Sequence, residues 1–164
     1  MHVPLSKFLA QVARKGSWYG GGSVAALSVG LSAALLEKLI HDAPVRRQLQ
    51  RIRRQSLRLT KQDATTFAKV IAASRTGHPG TFRRTLKAAI EIPCQVHEQA
   101  QAVQMIGRRA QRAIKPRFQS DIRCALALSE AGRAGAAAFI ETNLAWLNDR
   151  AYAARIRRRL RRRR

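Results

Sequence analysis

Steps of four and three residues from Val45 reach Leu49, Ile52, Ser56, Leu59, Asp63, Phe67 and Val70. At about 100° per residue these positions form one narrow stripe, apolar except for Ser56 and Asp63. Arg47, Arg51, Arg54, Arg58 and Lys61 fall on the opposite side. A segment patterned this way is a long amphipathic helix, and its stripe must be covered by other elements with the same need. No stretch of the chain sustains the apolar/polar alternation of a strand, and helical spacing recurs throughout. The spacing therefore predicts an all-α helical bundle of five to six helices.

The same reading places the elements. A short helix is expected from Leu5 to Arg14 and a second from Ser23 to His41. The third begins at Pro44, a residue suited to a first helical turn, and is broken by "RTGHPGT" at 75–81. A fourth runs from about Phe82 to Ala113, where Pro93 is expected to end or kink it by removing a donor and crowding the preceding turn. After "IKPRFQS", Ser120 is the expected N-cap of a fifth helix ending near Trp146. A last basic helix starts near Asn148 or Asp149. Charge alone separates a helical domain at 1–150 from an arginine-rich tail at 151–164.

With 164 residues, 46% of them hydrophobic, the chain has enough apolar material for one domain core and too little for two. Cys94 and Cys124 form no CxxC pair, and the four histidines have no metal-ligand spacing, so neither a disulfide scaffold nor a zinc site is expected. The N-terminal "MHVPLSKFLAQVARKG" lacks the charged start and long apolar core of a secretory signal. Val24 to Leu36 gives thirteen small and apolar residues before Glu37, short of the roughly 20 a bilayer span takes. The expected location is the cytoplasm. Against 9 acids stand 32 basic residues, a net charge of +23 that attracts polyanions and anionic small molecules.

Two features suggest chemistry. Asp63 lies in the middle of an apolar stripe, where a carboxylate is costly unless it is paired, hydrogen-bonded or protonated. Either an arginine from another helix neutralises it, or it sits in a cleft with a raised pKa. Asp121 and Asn143 share a second stripe, through Ala125, Leu128, Gly132, Gly135, Phe139 and Trp146. There Asp121 is either an early-turn acid favoured by the helix dipole or part of the same cleft. The run Gly20, Gly21, Gly22 and Ser23 opens the second helix. It either lets two backbones pack closely or presents free N–H groups to an anionic or carbonyl-bearing ligand.

Taken in order, "FLAQVA", "GGGSVAALSVGLSAALLEKL", "DATTFAKVIAA", "LKAAIEIPCQVHEQA" and "SDIRCALALSEAGRAGAAAFIETNL" resemble the cyclodeaminase/cyclohydrolase family of folate enzymes, over about residues 8–147. The resemblance implies an all-α domain that pairs as a homodimer, binds a tetrahydrofolate derivative in a cleft between helices, and uses no metal or redox cofactor. Within it, Asp63 moves the proton and Asp121 joins the catalytic set. Asp121 and Asn143 hold the pterin or orient water, and Gly20, Gly21, Gly22, Ser23 and Ser120 bind substrate. Hydrolysis of the 5,10-methenyl bridge is favoured over deamination of a 5-formimidoyl group, because no transferase unit accompanies the domain.

The chain departs from the family around the expected ligand. Trp18 and Tyr19 stand where prolines are usual, Lys115 and Arg117 replace amides, Arg123 lies where a glycine follows the SD pair, and Phe139 replaces an asparagine. A second reading keeps the scaffold and drops the chemistry, leaving a basic module that binds nucleic acid or another polyanion without sequence preference.

Overall fold

The computed structural model describes residues 4–161. Its helices are α1 (Leu5–Ala13), α2 (Gly21–Leu39), α3 (Ala43–Arg75), α4 (Pro79–Gln111), α5 (Gln119–Leu147) and α6 (Arg150–Arg161), with a 3-10 turn at Pro116–Phe118. No strand occurs among the described residues. The architecture is the expected all-α bundle.

α2 is the central helix and packs on α3, α4 and α5. Its small residues make this possible. A Cβ at Gly132 of α5 would lie 2.6 Å from Val29 Cγ2 and 2.9 Å from the Ala25 carbonyl, so the α2 and α5 backbones meet where neither carries bulk. Buried Ser32 Oγ then donates to the Ala125 carbonyl at 2.6 Å, giving its hydroxyl a partner inside the core. α2 also passes the length and hydropathy criteria for a membrane span, despite Glu37 and Lys38 in its last turn. Half of this apolar stretch is buried inside the bundle.

Buried side chains form two clusters. One surrounds α2 with Leu49, Ile52 and Leu59 of α3, Val96 and Val103 of α4, and Ile122 of α5. The other joins Val70, Leu86, Ile90, Ile140 and Leu144 to Ala153 and Ile156 of α6. α2 has only 19 residues, about 28 Å, whereas α3 and α4 have 33 each, about 50 Å. The long helices therefore run on past the start of α2, and the seam between the clusters lies there.

Several expectations change. α4 runs unbroken through Pro93, which is buried and clamped by packing on either side, so tertiary contacts hold the turn that local chemistry weakens. Ser120 does not cap α5. The helix starts at Gln119 with Phe118 in the cap position and no side-chain cap, and Phe118 instead packs on the first core cluster. The Gln119 amide ties the turn together by donating to the Gln111 carbonyl at 3.0 Å. The buried line of α5 is Ile122, Ala125, Ser129, Gly132, Ala136, Ile140 and Leu144, one position round from the expected stripe. Close approach to α2 selects the small residues, and this turns Phe139 and Trp146 outward, 37% and 42% exposed.

The segment that charge alone marks as a tail is folded through Arg161. Asp149 Oδ1 accepts the Tyr152 N–H at 3.0 Å and caps α6. Ala153 and Ile156 are buried in the second cluster. Arg159 binds both oxygens of Glu91 at 2.7 and 2.8 Å and reaches Glu98 at 2.7 Å. The boundary drawn at residue 150 therefore does not coincide with the end of packing. Arg162, Arg163 and Arg164 lie outside the described residues.

Candidate active site

Where α2 begins, a cavity of about 130 Å³ opens between the long helices. Its wall includes Ser17, Trp18, Gly20, Gly21 and Gly22 from the segment entering α2, with Asp63, Thr66 and Phe67 from α3. Ala89 and Ile92 of α4 and Phe139 and Asn143 of α5 complete it. Proline cannot donate to the carbonyl four residues earlier, so Pro93 leaves that of Ala89, a wall residue, without its helical partner.

Asp63 rests directly on the glycine turn. A Cβ at Gly22 would lie 2.8 Å from Asp63 Cγ, so only glycine admits the carboxylate. Ser23 Oγ donates to Asp63 Oδ2 at 2.8 Å. Gly20, the N-cap residue of α2, has no side chain to cap the helix. The carboxylate of α3 faces this open helix end and does what a local cap would do. The close-approach reading of the glycine run is the one seen here: the residues are small so that a carboxylate of the chain itself can come close.

The charge around Asp63 is unusual for this protein. Seven of the nine carboxylates are ion-paired: Glu37, Glu91, Glu98, Asp121, Glu130, Glu141 and Asp149. Asp42 caps α3 by accepting the Val45 N–H. Half-buried Asp63 makes no ion pair with any described residue, and its partner is a serine rather than an arginine. Burial pushes its carboxyl above the ordinary carboxylate value, while the Ser23 hydroxyl and backbone N–H pull it back down.

Asp63, Gly20, Gly21, Gly22 and Asn143 all line this cavity, and Ser23 holds Asp63 from behind. Asp121 and Ser120 lie elsewhere. Asp121 faces Lys38 at 3.7 Å, sixteen residues along α2 from Gly22, about 24 Å away. Ser120, at the start of α5, is exposed. Sequence reasoning missed Thr66, Ala89 and Ile92. Thr66 is one turn beyond Asp63, so the helical step that marks Asp63 also reaches it. At the rim, exposed Trp18 and Phe67 meet edge to face, with centroids 6.2 Å apart. The Phe139 ring covers Gly21, whose Cβ would lie 2.8 Å from Phe139 Cζ. No group of three or more His, Cys, Asp or Glu side chains suited to a metal occurs among the described residues.

The class is thus an all-α bundle whose central helix begins on glycine against a carboxylate that meets no cation among the described residues. A family model described as formiminotransferase-cyclodeaminase matches residues 41–162, and the chain belongs to that family. The match takes in Asp63 and Asn143 but starts after the glycine run. No curated protein sequence matches the chain. Among solved structures, that of formiminotetrahydrofolate cyclodeaminase from Thermotoga maritima superposes with a TM-score of 0.86 at 21% identity, covering 99% of this chain and 88% of the other. At that identity the likeness establishes the fold, and it extends over the glycine run.

Proposed function

We propose that this chain acts on a one-carbon group carried by tetrahydrofolate, closing a 5-formimidoyl group onto the second folate nitrogen with release of ammonia. The observation that carries the reading is Asp63: a half-buried carboxylate without a cation, raised in pKa, opening onto a cavity it shares with Asn143. Ring closure takes precedence over the hydrolysis favoured from sequence because the solved structure with this fold is named for a cyclodeaminase.

Closure forms a bond from the folate amine to the amidine carbon and breaks the bond from that carbon to the departing nitrogen. The departing nitrogen starts with one hydrogen and leaves with three. One proton comes from the attacking amine and one from outside the substrate. A carboxyl raised above its ordinary value by burial can deliver the outside proton and then accept the amine's, so Asp63 serves as acid and shuttle. Ser23 fixes its orientation, and Asn143 offers an amide to polar edges of the heterocycle. At about 130 Å³ the cavity takes the one-carbon unit and adjoining ring edge, well below the 300 Å³ or more of a whole-ligand site. The rest of the folate lies over Trp18 and Phe67 at the rim.

The test is ammonia release from 5-formimidoyl-tetrahydrofolate, read beside the decay of 5,10-methenyl-tetrahydrofolate, for the native protein and Asp63→Asn. The expected result is ammonia release that falls by about 10²- to 10⁴-fold in the variant. Decay of the methenyl compound without ammonia release from the formimidoyl one would assign hydrolysis instead. Absence of both would remove the enzymatic reading.

A further inference from the structure

On α4, steps of four and three residues from Arg83 reach Lys87, Glu91, Cys94, Glu98, Gln101, Met105, Arg108 and Arg112, one stripe on the outer face. It lies roughly 150° round the helix from Ala89 and Ile92, which face the cavity. α6 covers its first half. Arg83 and Lys87 pair with Asp149 at the start of α6, and Glu91 and Glu98 pair with Arg159 near its end. On α5, Glu141 pairs with Arg157 of α6. α6 therefore lies in the α4/α5 furrow, parallel to α4, with its C-terminal end nearer Gln101 than its start.

Beyond α6 the same furrow stays open as a groove of about 640 Å³. Arg108, Arg109, Arg112 and Arg133 line it, with exposed Met105. Its one acid, Glu130, is consumed: Arg133 binds both its oxygens, Gln104 Nε2 donates to it at 2.5 Å, and these bonds hold its carboxyl at about 2. Arg109 and Arg112 have no acidic partner among the described residues.

We propose that this groove, with the arginine-rich end of α6, binds the phosphodiester backbone of a nucleic acid without reading its sequence. The length fits. Gln101 to Arg112 spans eleven residues, about 16 Å, or about five phosphate spacings at 3.4 Å per strand, more than a compact anion needs. The shape fits as well, since a concave furrow takes a strand and excludes a flat lipid surface. No aromatic side chain lines the groove to stack on a base, so the contacts are ionic and sequence-blind.

The test uses the full chain and a fluorescent mixed-sequence single strand of about 20 nucleotides, a length sufficient for the span, with affinity measured against salt. Two triple variants remove the same charge from exposed positions: R108Q/R109Q/R112Q in the groove and R51Q/R54Q/R58Q on α3. With about 0.7 slope units per phosphate contact on a single strand, the groove variant is expected to lose about two units while the α3 variant keeps the native slope. The single variant R109Q is expected to lose about 0.7 units, which keeps the test independent of how the triple variant folds. Ammonia release is expected to stay native in every variant, separating this site from the cavity. Equal slopes for the two triple variants would overturn the proposal in favour of a diffuse field. Anionic phospholipid vesicles bound with the same dependence on Arg108 to Arg112 would overturn it in favour of a membrane.

Discussion

Asp63 has two opposed demands on it, and they separate with pH. Its folded-state pKa is raised, so its contribution to stability is present while the carboxyl is protonated and is lost as pH rises through the folded value. Asp63→Asn keeps an oxygen for Ser23 and carries no charge. Its stability relative to the native protein is therefore expected to improve as pH rises above about 4, the ordinary carboxylate value, read as the difference in urea midpoints, while turnover falls. The cysteines divide as sharply. Cys94 is fully buried and its thiol is pushed up to about 12, first by burial and then by Glu91. Exposed Cys124 is expected to take up iodoacetamide in the native protein while Cys94 does so only after denaturation, a difference of one adduct by mass spectrometry. Asp63 was legible in the sequence because a carboxylate on an apolar stripe is a local anomaly. Asp121 was misplaced because helical spacing gives a residue's face but not its height. On α5, Asp121 and Asn143 share a nominal face yet stand twenty-two residues, about 33 Å, apart.

The helices themselves were legible for a related reason. Apolar spacing and turn residues fixed their existence and most of their ends, including the Asp149 start of α6. What spacing left open was which face meets the centre. On α5 that depended on α2, since Gly132 and Ala136 win the inner line by being small. Phe67 shows the same dependence: it continues the α3 stripe but is 40% exposed, because α2 has ended by that level. α6 misled through its charge, which concealed Ile156, 3% exposed. Ile156→Ala is expected to cost about 2 to 5 kcal/mol by chemical denaturation. Truncation after Tyr152 removes this residue and Arg159 together. It is therefore a test of stability before it is a test of polyanion binding.

Across the whole molecule, the two ends of the chain attach differently. α6 is locked by apolar burial and ion pairs, whereas α1 buries none of its nine residues. Its visible ring contact is Phe8 against Tyr19, edge to face at 5.6 Å. Exposed Arg14 and Lys15 join α1 to the segment that supplies Ser17, Trp18 and Gly20 to the cavity. Brief trypsin treatment is expected to cut there first, leaving the bundle's thermal midpoint within about 2 °C while lowering turnover. The carboxylate seated on Gly22 also bears on the order in which the chain folds. The first turn of α2 is built from glycine, which costs about 1 kcal/mol per residue in a helix, and its closing partner arrives forty residues later. That turn has little reason to form during early helix nucleation and is completed only when α3 docks. Partly folded chains would then hold most of their helices while the Asp63 cavity remained unassembled, and refolding followed by turnover would lag behind refolding followed by circular dichroism.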